Sequence, residues 1–135
     1  MKIEISDATT IKEIRKAFSE KFPYLRLDFF KPDDNAATPF DLAHRITDEN
    51  VKIGDIRKKH NDGAIIISED EKVLQLERIF IEKFGIAVQV FRRSGTIWML
   101  TTSTDQMTLG EQNLLGEEMS VSVPGVEPED IHEQP

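Results

Sequence analysis

The stretch from Ile3 to Lys31 recurs without gaps, shifted by 62 residues, from Ile65 to Arg93. Under that shift Ile3, Ile5 and Ser6 meet Ile65, Ile67 and Ser68. Phe18, Glu20, Lys21, Phe22 and Phe29 likewise meet Phe80, Glu82, Lys83, Phe84 and Phe91. A repeat of this kind constrains the fold more than composition does, because both copies must lay down the same elements in the same order. That order is strand, helix, strand.

In the first copy Ile3 and Ile5 alternate with Lys2 and Glu4, a half-buried strand pattern. Thr10 and Glu13 then have the spacing of a capping box, in which each side chain satisfies a free backbone N–H at a helix start. Ile11, Ile14, Phe18 and Phe22 follow at intervals of three and four, which puts them on one helix face. Pro23 closes the helix, and Leu25, Leu27 and Phe29 alternate with Arg26 and Asp28 as a second strand. The second copy reads the same way. Gly63 to Ile67 is a strand, Ser68 and Glu71 offer a capping box, and Val73, Leu76, Phe80 and Phe84 restore the apolar stripe. Gly85 stands where the helix must stop. From Ile86 to Phe91 the aliphatic residues fall out of phase with Leu25 and Leu27, so either the register slips after the helix or this fourth strand is apolar on both faces, and burial of both faces is the favoured expectation.

Two such units in series imply an α+β domain on the ferredoxin-like split βαβ plan, with two helices on one face of a sheet and the first and third strands at its centre. Arg93-Ser94-Gly95-Thr96 reads as a hairpin turn into a fifth, edge strand over Thr96 to Thr102, paired beside the fourth. Residues 32–62 read as an insertion between the units, with turn chemistry at Pro32 to Asn35 and Thr38-Pro39. Within it Val51, Ile53 and Ile56 suggest a short strand or helical turn. Thr108 and Glu111 cap a third, C-terminal helix with Leu109, Leu115 and Met119 to bury. The expected organisation is one domain over 1–119 and an acidic, disordered tail over 120–135, where Pro124, Pro128 and Pro135 lie.

Charge divides along the same line. Residues 1–95 hold all 17 Lys and Arg against 17 acids, so residues 96–135, with 8 acids and no base, carry the whole net charge of −8. The tail is either a solubilising segment or one that docks on a basic partner. There is no cysteine, which excludes disulfides and thiolate zinc sites. No apolar run approaches the roughly 18 residues of a membrane span, and the expectation is a cytoplasmic protein.

Chemistry-bearing motifs are sparse. Neither G-x-G-x-x-G nor a P-loop occurs, no G-x-S-x-G elbow is present, and His44, His60 and His132 lack paired ligand spacing. The hydroxyl-rich run Thr101 to Asp105 is explained as a strand end followed by a helix start. No catalytic residue, cofactor or metal ligand is nominated. Arg57-Lys58-Lys59-His60 reads as the basic end of a short helix. Single-stranded nucleic-acid binding has a basis only in Phe91, Arg92, Arg93 and Trp98, without an RNP1 pattern and against a neutral body.

The remaining candidate is a sticky face. Ile66, Phe91, Trp98 and Leu100 would stand on the sheet side away from the first two helices and expose on the order of 400 to 600 Å², about the largest apolar patch a soluble monomer leaves open. Either the third helix or a protein partner, including a second copy of the chain, should cover it. The leading expectation is therefore a non-enzymatic interaction module working through this face or the edge strand near Trp98. The alternative is a ligand-binding or catalytic pocket between the sheet, residues 32–62 and the third helix. The run from Val90 through Trp98 to Thr108-Leu109-Gly110-Glu111-Gln112-Asn113 resembles small bacterial proteins of no assigned activity. The resemblance implies a bacterial cytoplasmic protein and carries over no residue role.

Overall fold

The computed structural model describes residues 1–31 and 44–120, together with the backbone of 131–132. The elements are β1 (Lys2–Ile5), α1 (Ile11–Lys21), β2 (Leu25–Phe30), β3 (Gly63–Ile66), α2 (Val73–Phe84), β4 (Ala87–Ser94), β5 (Ile97–Leu100), α3 (Leu109–Ser120) and β6 (Ile131–His132). The chain is α+β, as the repeat implied, but its strands form two separate ladders. β1 pairs antiparallel with β3, and β2, β4, β5 and β6 make a second sheet in that order. The first and third strands are thus partners of each other rather than the centre of one four-stranded sheet.

The registers explain why the repeat is so regular. Ile3, the counterpart of Ile65 under the 62-residue shift, sits directly opposite it. In the other ladder Leu27 faces Val90 and Asp28 faces Gln89, two pairs that the same shift exchanges. A single local dyad therefore relates the halves and passes through both ladders. Each unit buries its strands against the other unit, so neither half forms a sheet alone. Between the ladders lies one core, in which Ile5, Ile14, Phe18, Leu27, Ile67, Leu76, Phe80 and Val90 are all buried.

The symmetry runs further than the gapless repeat. In the first unit Ile11 N–H donates to the Val51 carbonyl and Lys12 N–H to that of Glu49, while Ile53 and Gly54 donate to Thr9 and Asp7. In the second, Val73 and Leu74 donate to Met107 and Asp105, and Leu109 and Gly110 to Glu71 and Glu69. Each helix start is thus clasped by a strap, and the straps match as Glu49 to Asp55 against Asp105 to Glu111, shifted by 56 rather than 62. The approach is close. A Cβ at Gly54 would stand 2.6 Å from the Cβ of Asp7, and one at Gly110 would stand 3.2 Å from that of Glu69. Residues 44–62 are therefore not a bare insertion. Arg45 bridges Phe30 at the outer edge of β2, as β5 does beside β4, and the strap follows, with a 3₁₀ turn at Ile53–Asp55.

Local expectations divide instructively. Thr10 caps α1 through Glu13 N–H at 3.2 Å, Thr108 and Glu111 cap each other at 2.9 and 3.1 Å, and Gly85 ends α2 with φ 69°. β4 is buried on both faces from Ala87 to Arg92. Ser68 and Glu71 do not cap α2, because Ser68 closes a turn by accepting from Asp70 and Glu71 N–H. The cap falls four residues later, at Lys72, with Gln75 reaching back to Lys72 N–H at 3.4 Å. α3 buries Leu109, Gln112, Gly116 and Ser120, not the expected Leu115 and Met119, and leaves Leu114 and Met119 outward. The tail contributes a strand at Ile131–His132, and Ser120 belongs to α3. The turns at residues 32–39 and the tail prolines lie outside the described residues.

Candidate functional site

Alternation along β4 gives its sheet two unlike faces. Val88, Val90 and Arg92 point toward the common core and α3, while Ala87, Gln89, Phe91 and Arg93 point the other way. Opposite them in register stand Phe30, Asp28 and Arg26 on β2 and Leu100 and Trp98 on β5. Phe30, Ala87, Phe91 and Leu100 form a second small buried cluster, with Trp98 packed against its margin and only partly buried. Three of the four residues nominated for partner contact thus meet on one face. Ile66 does not join them; it lies on β3, in the other ladder, and is 62% exposed.

The third helix is not the cover of that face. Arg92, on the opposite side from Phe91, donates to Gln112 of α3 at 2.8 Å, and a Cβ at Gly116 would lie 3.1 Å from the Arg92 Cγ. Gln112 in turn donates to the Thr104 carbonyl and hydroxyl at 2.9 and 2.8 Å. Burial without a carboxylate partner lowers the Arg92 pKa, and its Nε has no hydrogen-bond acceptor.

The polar centre of the second face is Asp28, fully buried. It accepts from Arg15 at 2.7 Å and Arg26 at 2.9 Å, and Arg45 stands 3.7 Å from its other oxygen. Three arginines thus gather about Asp28, one of them shared with Glu49. Arg15 also donates to the Leu27 carbonyl and to Glu49, tying α1, β2 and the strap together.

Where β5 ends, its ladder with β4 fails one step beyond Leu100. Val90 keeps its hydrogen bonds through side chains instead, its carbonyl accepting from Thr101 Oγ1 at 2.7 Å and its N–H donating to Glu77 Oε2 at 3.0 Å. Glu77 occupies the place of Arg15 under the dyad, but no cation faces it. Burial pushes its carboxyl up to about 8, with Asp105 nearby adding to the rise. Its chemistry is that of a structural acid, held neutral at pH 7 to receive one backbone N–H.

Arg57 ends the first strap, and the expected basic helix end is instead a buried clamp. Its guanidinium donates twice to Asp7 at 2.9 and 2.7 Å and to the Asn61 carbonyl at 2.7 Å. His60 Nδ1 lies 2.9 Å from both Asp7 oxygens, and these two partners hold the Asp7 carboxyl below its usual range. Among the described residues no three His, Asp or Glu side chains stand close enough to hold a metal ion. No helix among them is long and apolar enough to cross a membrane.

A cavity of about 220 Å³ opens between the end of α1 and α3, lined by Lys21, Phe22, Glu69, Gly110, Asn113, Leu114 and Glu117. It holds no pair of groups poised for proton transfer, and it is smaller than the roughly 300 Å³ at which ligand pockets begin.

The outer edge of β5 carries β6. Trp98 pairs with Ile131 and Met99 with His132, in parallel. Sequence reasoning placed an edge strand here but not its occupant; the available signal was an isolated aliphatic, Ile131, amid the acids of the tail. No protein-family model, curated protein or solved structure matches the chain.

Proposed function

We propose that this protein is a non-enzymatic interaction module that takes a protein partner along the β5 edge around Trp98. The observation that carries the reading is that β5 is flanked by β4 on one side and by only a two-residue strand on the other. An edge strand presents free N–H and C=O groups, and strand addition is the recurrent way such an edge is used. Trp98 supplies what main-chain bonds lack, a large side chain at the margin of a buried apolar cluster. Asp28, Glu77 and Arg57 are engaged in holding strands and straps, which leaves them no evident part in turnover. The ferredoxin-like plan survives only as an analogy of element order and contributes nothing to this reading.

Site-specific photo-crosslinking in the native cell tests it. A crosslinker at position 98 should yield a discrete adduct that the same residue placed at Lys12, on α1, does not. Equal adducts from both positions would remove the proposal.

A further inference from the structure

We infer that the outer face of α3, with the cavity between that helix and the end of α1, is a docking surface for a cationic amphipathic helix of a partner protein. α3 packs on the Arg92 side of β4, so this surface is distinct from the face that holds Phe91 and from the β5 edge.

α3 is built inside out. Its inward positions are Leu109, Gln112, Gly116 and Ser120, whereas Leu114 and Met119 are 56% and 47% exposed. The helix cannot roll to bury them. A Cβ at Gly116 would meet the Tyr24 Cβ at 2.8 Å, Asn113 accepts from the Tyr24 N–H at 2.9 Å, and Gln112 accepts from Arg92. A turn of about 3.6 residues runs Glu111 and Glu118 down the middle of the exposed face, with Leu114 on one flank and Leu115 and Met119 on the other. Beside Leu114 lies the cavity of about 220 Å³, where Phe22 is an apolar wall and the carboxylates of Glu69 and Glu117 stand against the one ammonium of Lys21.

Charge decides the chemistry of the occupant. α3 has no Lys or Arg, and Glu117 and Glu118 fall in its last turn, where the helix dipole is already negative. A cation docked there relieves both. Lys and Arg also suit a surface that mixes acids with apolar groups, because their stems cover the apolar side chains while their heads reach the carboxylates. One such stem laid along Phe22 and Leu114 brings its head to Glu69 and Glu117. The occupant is helical because an extended segment resting on a helix finds no partners for its backbone N–H and C=O groups, which a helix satisfies internally. The same charge argues against the chain's own segments. Residues 32–43 and 121–135 carry three and four carboxylates and no Lys or Arg, and a second copy docking through its own α3 would set Glu111, Glu117 and Glu118 against the same residues.

The probe is a synthetic helix of about four turns, leucines on one face and lysines on the other, titrated by fluorescence anisotropy into the full-length protein. It should bind wild type, and binding should weaken with salt. Replacing Leu114 and Met119 by Ser removes apolar contacts without changing charge, and should weaken binding at least about tenfold. Glu69→Gln with Glu117→Gln should weaken it and flatten the salt dependence. Ile66→Ser with Ile81→Ser, which removes the other two exposed large hydrophobics, should leave it unchanged. Backbone amide shifts of wild type on adding the probe should cluster on α3 and the end of α1, a readout that needs no variant to fold. Equal binding by wild type and the Leu114, Met119 pair would reduce the contact to general attraction toward a negative protein and overturn the inference. No binding, or shifts centred elsewhere, would overturn it too. So would a wild-type dimer that Leu114→Ser dissociates, since the face would then belong to a second copy.

Discussion

Replacing Glu77 by Gln should make the protein more stable above pH 6 and leave it nearly unchanged at pH 4. The Glu77 carboxyl titrates near 4.5 when unfolded and at about 8 when folded, because it is buried beside Asp105 with no cation. Between those values the folded state holds a proton that the unfolded state has released. Stability contributed by this group is therefore complete below pH 4.5 and falls as pH rises, by about 1.4 kcal/mol per pH unit until roughly pH 8. The accumulated loss is about 3 kcal/mol at pH 7 and about 4 to 5 kcal/mol above pH 8. Gln keeps an oxygen for the Val90 N–H, now 3.0 Å from Glu77, and cannot ionise. The gain at pH 8 should be about 3 kcal/mol or more, which for a chain of this size corresponds to roughly 10 °C in Tm. The carboxyls of Asp7 and Glu111 are lowered, so their contributions are lost only as pH falls through the acid range and do not overlap this window. Urea unfolding of both proteins from pH 4 to 9 measures the difference. Parallel pH profiles would refute the reasoning, since they would mean that Glu77 is ionised in the folded state at no cost.

The straps give further tests. Gly54→Ala forces a Cβ to within 2.6 Å of the Asp7 Cβ, and Gly110→Ala only to 3.2 Å of Glu69, so thermal unfolding should rank the first as clearly the more damaging, by about 1–3 kcal/mol. Gly116→Ala gains about 1 kcal/mol of helix propensity but meets the Tyr24 Cβ at 2.8 Å; a net loss of stability is expected, and a net gain would show that α3 packs less closely. Arg57→Lys keeps the charge but not the double donation to Asp7, and should cost about 1–3 kcal/mol in chemical denaturation, whereas an unchanged midpoint would mean that the clamp contributes little.

What the sequence made legible was local. Helix stripes such as Ile14, Phe18, Leu76 and Phe80, and the Thr10 and Thr108 caps, depend on neighbours a turn away, and all are found as read. Strand partnership is a choice among distant segments, and alternation in β1 or β2 does not encode it. The same element order therefore led to one sheet on paper and two ladders in the molecule. The straps escaped notice because six residues are missing between the repeat of the βαβ unit and that of the strap. Only Gly54 and Gly110 are identical there, while Glu49 and Asp105, Val51 and Met107, and Ile53 and Leu109 match in type alone. At the site, Phe91 and Trp98 were readable as apolar strand residues. Ile66 was misplaced with them because it belongs to the other ladder, and α3 hid its inward face because that face is Gln112, Gly116 and Ser120.

Amide hydrogen exchange on the intact chain, followed residue by residue as a synthetic peptide of residues 126–135 is added, bears most directly on the claim that β5 is a strand-accepting edge. Ile131 and His132 of the chain should exchange faster while protection along Ile97–Leu100 is kept, because one strand replaces another of the same sequence. Unchanged exchange in both segments at saturating peptide, or protection confined to α3, would contradict it.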